Sequence, residues 1–203
     1  MLLGVTGTIG SGKSYVAARL GRLLGAPVLS ADSICRELLE KDQPGYLAFL
    51  NQGGQAYLSQ AGDIDRPRLR DAAFQDQGLR RILEEILHPL VRQRLTQARA
   101  SLAPDTCMVA EVPLLFESGW QSDFDYIVCV SVSPANALSR VAERDQVDRT
   151  EVERIMEIQM DPDEKCSRAD RVIDNDGPQA RTDAQIEALG RELKPHCSGS
   201  ANS

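Results

Sequence analysis

The sequence predicts an α/β fold, a parallel five-stranded sheet with helices on both faces. Three observations carry this. Short apolar runs rich in β-branched residues alternate with longer stretches of helical periodicity. A glycine-rich turn, GTIGSGKS, joins the first apolar run to the first helical stretch. Residues 45–102 then interrupt the alternation with helical patterns alone, as an insertion into a sheet would.

In chain order, residues 2–6 read as a buried strand, 14–24 as a helix stopped by Gly25, and 27–30 as a second short strand. A helix over 32–41 follows. The insertion holds helical patterns at 67–74, 78–87 and 89–102, and His88-Pro89 reads as a junction because proline suits the first turn of a helix. Residues 107–112 and 126–132 supply the third and fourth strands and 171–174 a weaker fifth, with helices over 134–144, 150–160 and 179–193. Strands separated in this way pair in parallel through right-handed crossovers. The expected organisation is one domain over 1–203: a core of 1–44 and 103–193, a helical insertion over about 45–102, a lid over about 144–169, and a disordered polar tail at 194–203.

A net charge of -7 and a pI near 4.9 argue against a protein that lives on nucleic acid or an anionic membrane. Small molecules or proteins are the expected partners. The five cysteines are odd in number and lack a CxxC pair, which predicts reduced thiols and a cytoplasmic setting. The apolar start lacks the basic flank and length of a signal peptide, and no apolar run approaches a membrane span. With only His88 and His196 and no clustered cysteines, a structural zinc site is not expected. Any metal should arrive with a ligand.

Gly7, Gly12, Lys13 and Ser14 fit GxxxxGK[ST], and the motif sits between a strand and a helix, where its mechanism needs it. Glycines let the backbone turn its N–H groups toward an anion, and the helix N-terminus adds its positive dipole end. Lys13 would reach the terminal phosphates and the Ser14 hydroxyl a phosphate-bound Mg²⁺. A guanine-reading NKxD motif is absent from the sequence, so the reaction must be read from other residues.

In open α/β sheets ligands gather beyond the carboxyl ends of the strands. Asp32, Glu111 with Pro113, and Asn175 follow the second, third and last strands. Asp32 has two readings: a general base beside the transferred phosphoryl, or an N-cap of the helix that starts there. Glu111 would hold a magnesium-bound water or form an ion pair. Arg140 and Arg144, four apart, share a helix face that either meets a phosphoryl group or borders solvent. Residues 66–99 carry eight arginines and four carboxylates, enough to receive an anionic acceptor, although Arg80 with Glu84 and Arg81 with Glu85 are spaced to cancel on a solvated face. Position alone gives His88 no chemistry. Leu114, Leu115 and Phe116 are read as core more than as a binding wall.

Together these stretches resemble the dephospho-CoA kinases, P-loop kinases that perform the last step of coenzyme A synthesis. The resemblance rests on VTGTIGSGKS at 5–14, ADSICREL at 31–38, GDIDRPRLRDAAFQD at 62–76, LEEILHPLVR at 83–92, VPLLFESG at 112–119, FDYIVCVSV at 124–132, Arg140 with Arg144, and IQMDPDEKCSRADRVIDNDG at 158–177. They occur in family order over about residues 3–193.

The resemblance implies a P-loop kinase fold with a helical CoA-side insertion and a lid, and ATP-dependent phosphorylation of the ribose 3′-hydroxyl of dephospho-CoA to give CoA and ADP. It places Gly7, Gly10, Ser11, Gly12, Lys13, Ser14 and Tyr15 around ATP with Mg²⁺ on Ser14, Arg140 and Arg144 near the phosphates, and Asn175 near the adenine. Asp32 becomes the acceptor-activating carboxylate, with Arg66, His88, Pro113, Leu114 and Leu115 on the acceptor side. Two residues depart from the family pattern. Ser30-Ala31-Asp32 stands where many relatives have Asp-Ala-Asp, and Tyr15 where they often have Thr. The alternatives are a kinase of another nucleotide or nucleoside, against which HPLV and PLLFE weigh, and a catalytically silent nucleotide-binding protein, which has no need of a base.

Overall fold

The structure, a computed structural model, describes residues 1–145, 156 and 159–197. It divides into two compact units, Met1–Ser30 with Leu102–Ser203, and Ala31–Ser101. The expected helix over 150–160 and much of the expected lid fall on residues 146–155, 157 and 158, outside the described residues.

The first unit is a sheet of β1 (Leu2–Gly7), β2 (Val28–Ser30), β3 (Met108–Glu111), β4 (Tyr126–Ser131) and β5 (Arg171–Asp174), ordered β2-β3-β1-β4-β5. All its pairings are parallel. β1 is central, with Leu3 opposite Val109 on one side and Tyr126 on the other. Buried on both faces, β1 reads as an unbroken apolar run rather than an alternating one. The chain first builds to one side of β1 and later to the other, so the switch point where ligands collect lies beyond the end of β1.

Helices α1 (Lys13–Leu24) and α8 (Gln179–Cys197) cover one sheet face. Val16, Ala17 and Leu20 of α1 and Ile186, Leu189 and Leu193 of α8, spaced three and four apart, bury against Leu3, Val5, Val109, Val128, Val130 and Ile173. Each such side chain contributes about 1.5–3 kcal/mol of apolar burial. Gly25 ends α1 in the left-handed conformation, its N–H capping the last turn. The unit also carries α6 (Pro134–Asp145) and a short α7 (Pro162–Ser167), whose Cys166 sulfur meets that of Cys129 on β4.

α8 continues past Leu193 to Cys197, which is disulfide-bonded to Cys107 just before β3. Two expectations are corrected here. Residues 194–197 extend the helix instead of opening the tail, and Cys107 and Cys197 are not reduced thiols. The cause is helical spacing: Leu193 and Cys197 are four apart on the buried face, so one further turn sets Cys197 against the sheet edge. Residues 198–203 lie outside the described residues.

The second unit is helical: α2 (Ala31–Leu38), α3 (Pro44–Asn51), a 3₁₀ turn (Gly54–Tyr57), α4 (Arg66–Gln75) and α5 (Gln77–Ala100). Tyr46, Phe49, Ile64, Leu69 and Leu79 form its own core. Asp65 caps α4 through the Arg68 N–H, and Asp76 caps α5 through the Gly78 and Leu79 N–H groups. The junction expected at His88-Pro89 does not exist, because α5 runs straight through Pro89. An interior proline costs about 3 kcal/mol. Leu87, Val91 and Leu95, buried at helical spacing on either side of it, offset that cost.

The Cys107–Cys197 bridge closes a loop with a sequence separation of 90, for which the entropic model gives about 4.6 kcal/mol. Cys197→Ser is therefore expected to lower the thermal midpoint, and a thiol reductant to do the same to the parent chain but nothing further to the variant. Matching midpoints for oxidised parent and variant would contradict this.

Candidate active site

The turn between β1 and α1 is shaped by two left-handed glycines, Gly10 (φ 74) and Gly12 (φ 89). Space demands glycine as strongly as conformation does. A Cβ on Gly10 would lie 2.6 Å from the Ala137 carbonyl oxygen, and one on Gly12 would overlap the Asn175 side-chain amide. Lys13 is buried and folds back over the turn, its ammonium donating to the Thr8 carbonyl at 2.8 Å. The Ser11 hydroxyl is fully enclosed and has no hydrogen-bond partner among the described residues. Beside it, the orphan N–H groups of the first turn of α1 make a cradle of donors, and a phosphate group would satisfy them.

Asn175, the residue after β5, braces this cradle. Its Nδ2 donates to the Ser11 carbonyl at 2.7 Å, its Oδ1 accepts from the Thr182 hydroxyl, and its carbonyl accepts from Arg140 at 2.9 Å. Asp176 accepts from the Ser133 N–H and hydroxyl and from Asn136 at the start of α6, which holds its carboxyl below the usual range. Two adjacent residues thus fix both the loop and the helix that carries Arg140 and, one exposed turn later, Arg144. Gly7 closes β1 at the mouth of the loop. Tyr15 points away from the loop: its ring packs on the α1–α8 core and its hydroxyl donates to Asp183.

Beside the loop, the Ser14 hydroxyl donates to Glu111 at 2.7 Å, at the end of β3. This pair sets two hard oxygen donors together, the chemistry Mg²⁺ prefers when it keeps waters and phosphates as its other ligands. Among the described residues no group of three or more His, Cys, Asp or Glu is placed to hold a metal by itself, so the residues fit a cation carried by a ligand. After β3, the Pro113 carbonyl accepts from the Thr6 hydroxyl at 3.1 Å and from Lys165 at 3.0 Å. Leu115 is fully buried and belongs to the core, while Leu114 is exposed.

Sequence reasoning missed three residues here. Lys165 is wholly buried, and its ammonium lies 2.8 Å from Glu117. Glu117 also accepts the Met160 N–H at 3.0 Å, and next to it Gln159 accepts the Ile9 N–H of the phosphate loop at 2.9 Å. The segment leading into α7 is thereby fastened to both the loop and the turn after β3. One signal was available: the chain has only four lysines among its many arginines, and the two buried ones are Lys13 and Lys165.

The helical unit holds the other candidates. α2 begins at Ala31, so Asp32 lies exposed within its first turn and is not the N-cap. A carboxylate there favours the helix dipole. Arg66 donates to the Arg36 carbonyl at 2.9 Å and faces Glu40 at 3.9 Å, tying α4 to the C-terminal half of α2. Arg94 likewise reaches Glu37 at 3.6 Å. Arg80 donates to the Ala73 and Phe74 carbonyls, and Arg81 pairs with Glu85 as its spacing predicts. His88 is half-buried in mid-α5, and burial pushes its pKa down. The helical unit also includes Cys35, whose thiol burial raises to about 11.

The dephospho-CoA kinase family model, CoaE, matches residues 1–181. The dephospho-CoA kinase of Syntrophotalea carbinolica is 38% identical over 99% of both chains. Among solved structures, one from Thermus thermophilus shares 32% identity, with a TM-score of 0.74 over 95% of this chain and 97% of that one. The dephospho-CoA kinase of Campylobacter jejuni shares 25%, with a TM-score of 0.68 over 96% and 97%.

Removing one partner of a buried ion pair leaves an uncompensated charge, whereas removing both need not. Glu117→Ala is expected to cost about 3–5 kcal/mol in urea unfolding, and Lys165→Met with Glu117→Leu to restore most of it. A double variant as unstable as Glu117→Ala alone would show that the pair does more than balance charge.

Proposed function

We propose, because the chain belongs to the dephospho-CoA kinase family, that it transfers the γ-phosphoryl group of ATP to the ribose 3′-hydroxyl of dephospho-CoA, giving CoA and ADP. The observation that carries this reading is an intact phosphate loop at the switch point of the sheet, in a chain that matches the family over residues 1–181. The enzyme works in the cytoplasm on two small-molecule partners, with neither nucleic acid nor membrane.

The loop amides from Gly10 to Ser14 receive the phosphates, the enclosed Ser11 side chain packs beneath the turn, and Tyr15 closes the first helical turn behind them. Lys13, already positioned over the loop by Thr8, neutralises charge on the terminal phosphates. Ser14 and Glu111 are the residues that would hold Mg²⁺, which would neutralise charge on the phosphates. Arg140, held by the Asn175 carbonyl, is oriented to stabilise charge that grows in transfer, with Arg144 one turn beyond. Asn175 acts in this account by bracing the loop. Asp32 orients and deprotonates the attacking hydroxyl, and the transfer is in line, with no phosphoenzyme. Arg66, His88, Pro113 and Leu114 are assigned to the acceptor, and Leu115 supports that wall from the core. Ser30 leaves Asp32 as the single carboxylate of its motif, which suffices for a base.

Asp32→Ala is expected to keep ATP affinity within a few-fold while lowering dephospho-CoA-dependent ADP release by at least about 10²-fold. Lys13→Ala should weaken nucleotide binding and turnover together. Near-normal turnover in the Asp32 variant would reduce that residue to electrostatic support of α2, and an unaffected Lys13 variant would sink the phosphate-loop reading.

A further inference from the structure

Cys129 and Cys166 have no part in the mechanism above, yet their sulfurs touch at 3.3 Å. They come from different elements. Cys129 lies on β4 between Thr6 of β1 and Val172 of β5, and is buried. Cys166 is near the end of α7 and half-buried, the more accessible of the two.

We propose that Cys129 and Cys166 are a thiol–disulfide exchange site that takes low-molecular-weight disulfides and closes reversibly into a second intrachain bridge. The sulfurs need to approach from 3.3 Å to about 2.05 Å, a shift that small side-chain rotations supply because the two elements are already packed together.

The surroundings divide the roles. The hydrogen bond between the Cys129 and Cys166 sulfurs, one from the Ser131 hydroxyl and the nearby Lys165 ammonium lower the Cys166 thiol, against burial and Asp163, which raise it. Together these bring the Cys166 thiol down to about 7. Cys129, hydrogen-bonded to Cys166 and the more buried of the two, is held strongly protonated. Cys166 is therefore the attacking thiol and Cys129 the resolving one.

The step balances. The Cys166 thiolate attacks one sulfur of the external disulfide, forming a mixed disulfide and expelling one thiolate. Cys129 then attacks the Cys166 sulfur, expels the second thiolate and gives it its proton. Two electrons pass from the cysteine pair to the external disulfide, which leaves as two thiols. The inference does not rest on the kinase reading and survives or fails apart from it.

The test is to incubate the full chain with oxidised glutathione under anaerobic conditions, alkylate remaining thiols, digest without reduction and read the peptides by mass. The expected product is a cross-linked Cys129–Cys166 peptide pair two hydrogens lighter than the separate peptides, abolished by a thiol reductant. Before oxidation, iodoacetamide should modify Cys166 at least about 10-fold faster than Cys35, the internal control. Cys129→Ala should stop at a glutathione adduct on Cys166. A persistent adduct on Cys166 in the parent chain, or both cysteines still alkylated after oxidation, would overturn the proposal.

Discussion

No atom fits between residue 12 of the phosphate loop and the side chain of Asn175. That exclusion organises the ligand edge of the sheet unit. The glycine at 12 gives up its Cβ, and the amide of Asn175 takes the space and binds the Ser11 carbonyl. The same asparagine donates its N–H to the Ser131 carbonyl of β4, accepts Arg140 from α6 and is fixed by Thr182 of α8. A single residue after β5, through its side chain and its backbone, therefore ties together the loop, the arginine helix and β4. Buried polar groups that are all satisfied make such a node rigid, and rigidity in a donor cradle is what electrostatic stabilisation of a phosphoryl group requires.

The two buried lysines work by a common rule. Each donates to a backbone carbonyl, Lys13 to Thr8 and Lys165 to Pro113, and each of those carbonyls lies at a turn that leaves the sheet. A compact ammonium fits where a guanidinium fork would not, which gives a physical reason for lysine at both places in a chain that otherwise uses arginine. Thr6 adds a second bond to the Pro113 carbonyl, so the ends of β1 and β3 are joined by polar contacts above an apolar core. Glu117 and Gln159 extend that frame to the segment entering α7.

Much of this was legible in the sequence. The five strands, most of the helices and the loop at the first strand end follow from periodicity and glycine placement, because those signals are local, whereas the short helices α3 and α7 were not read. The contacts that brace the loop were not, since Asn175 reaches Ser11 across 164 residues and Gln159 reaches Ile9 across 150. Asn175 was read near the adenine from its family position alone, and the structure adds its bond to the loop. Pro89 misled for the opposite reason: a strong local signal for a helix start lost to burial on both sides of it. The Cys107–Cys197 bridge was hidden because pairing depends on one more helical turn after Leu193, in a stretch whose small polar residues resemble a tail.

The most direct measurement gives the purified chain MgATP with dephospho-CoA, adenosine, AMP or CMP in turn and reads the mass of every product. A phosphoryl gain on dephospho-CoA alone is the expected result. Transfer to one of the other acceptors in its place, or ATP binding with no transfer to any of them, would contradict the account.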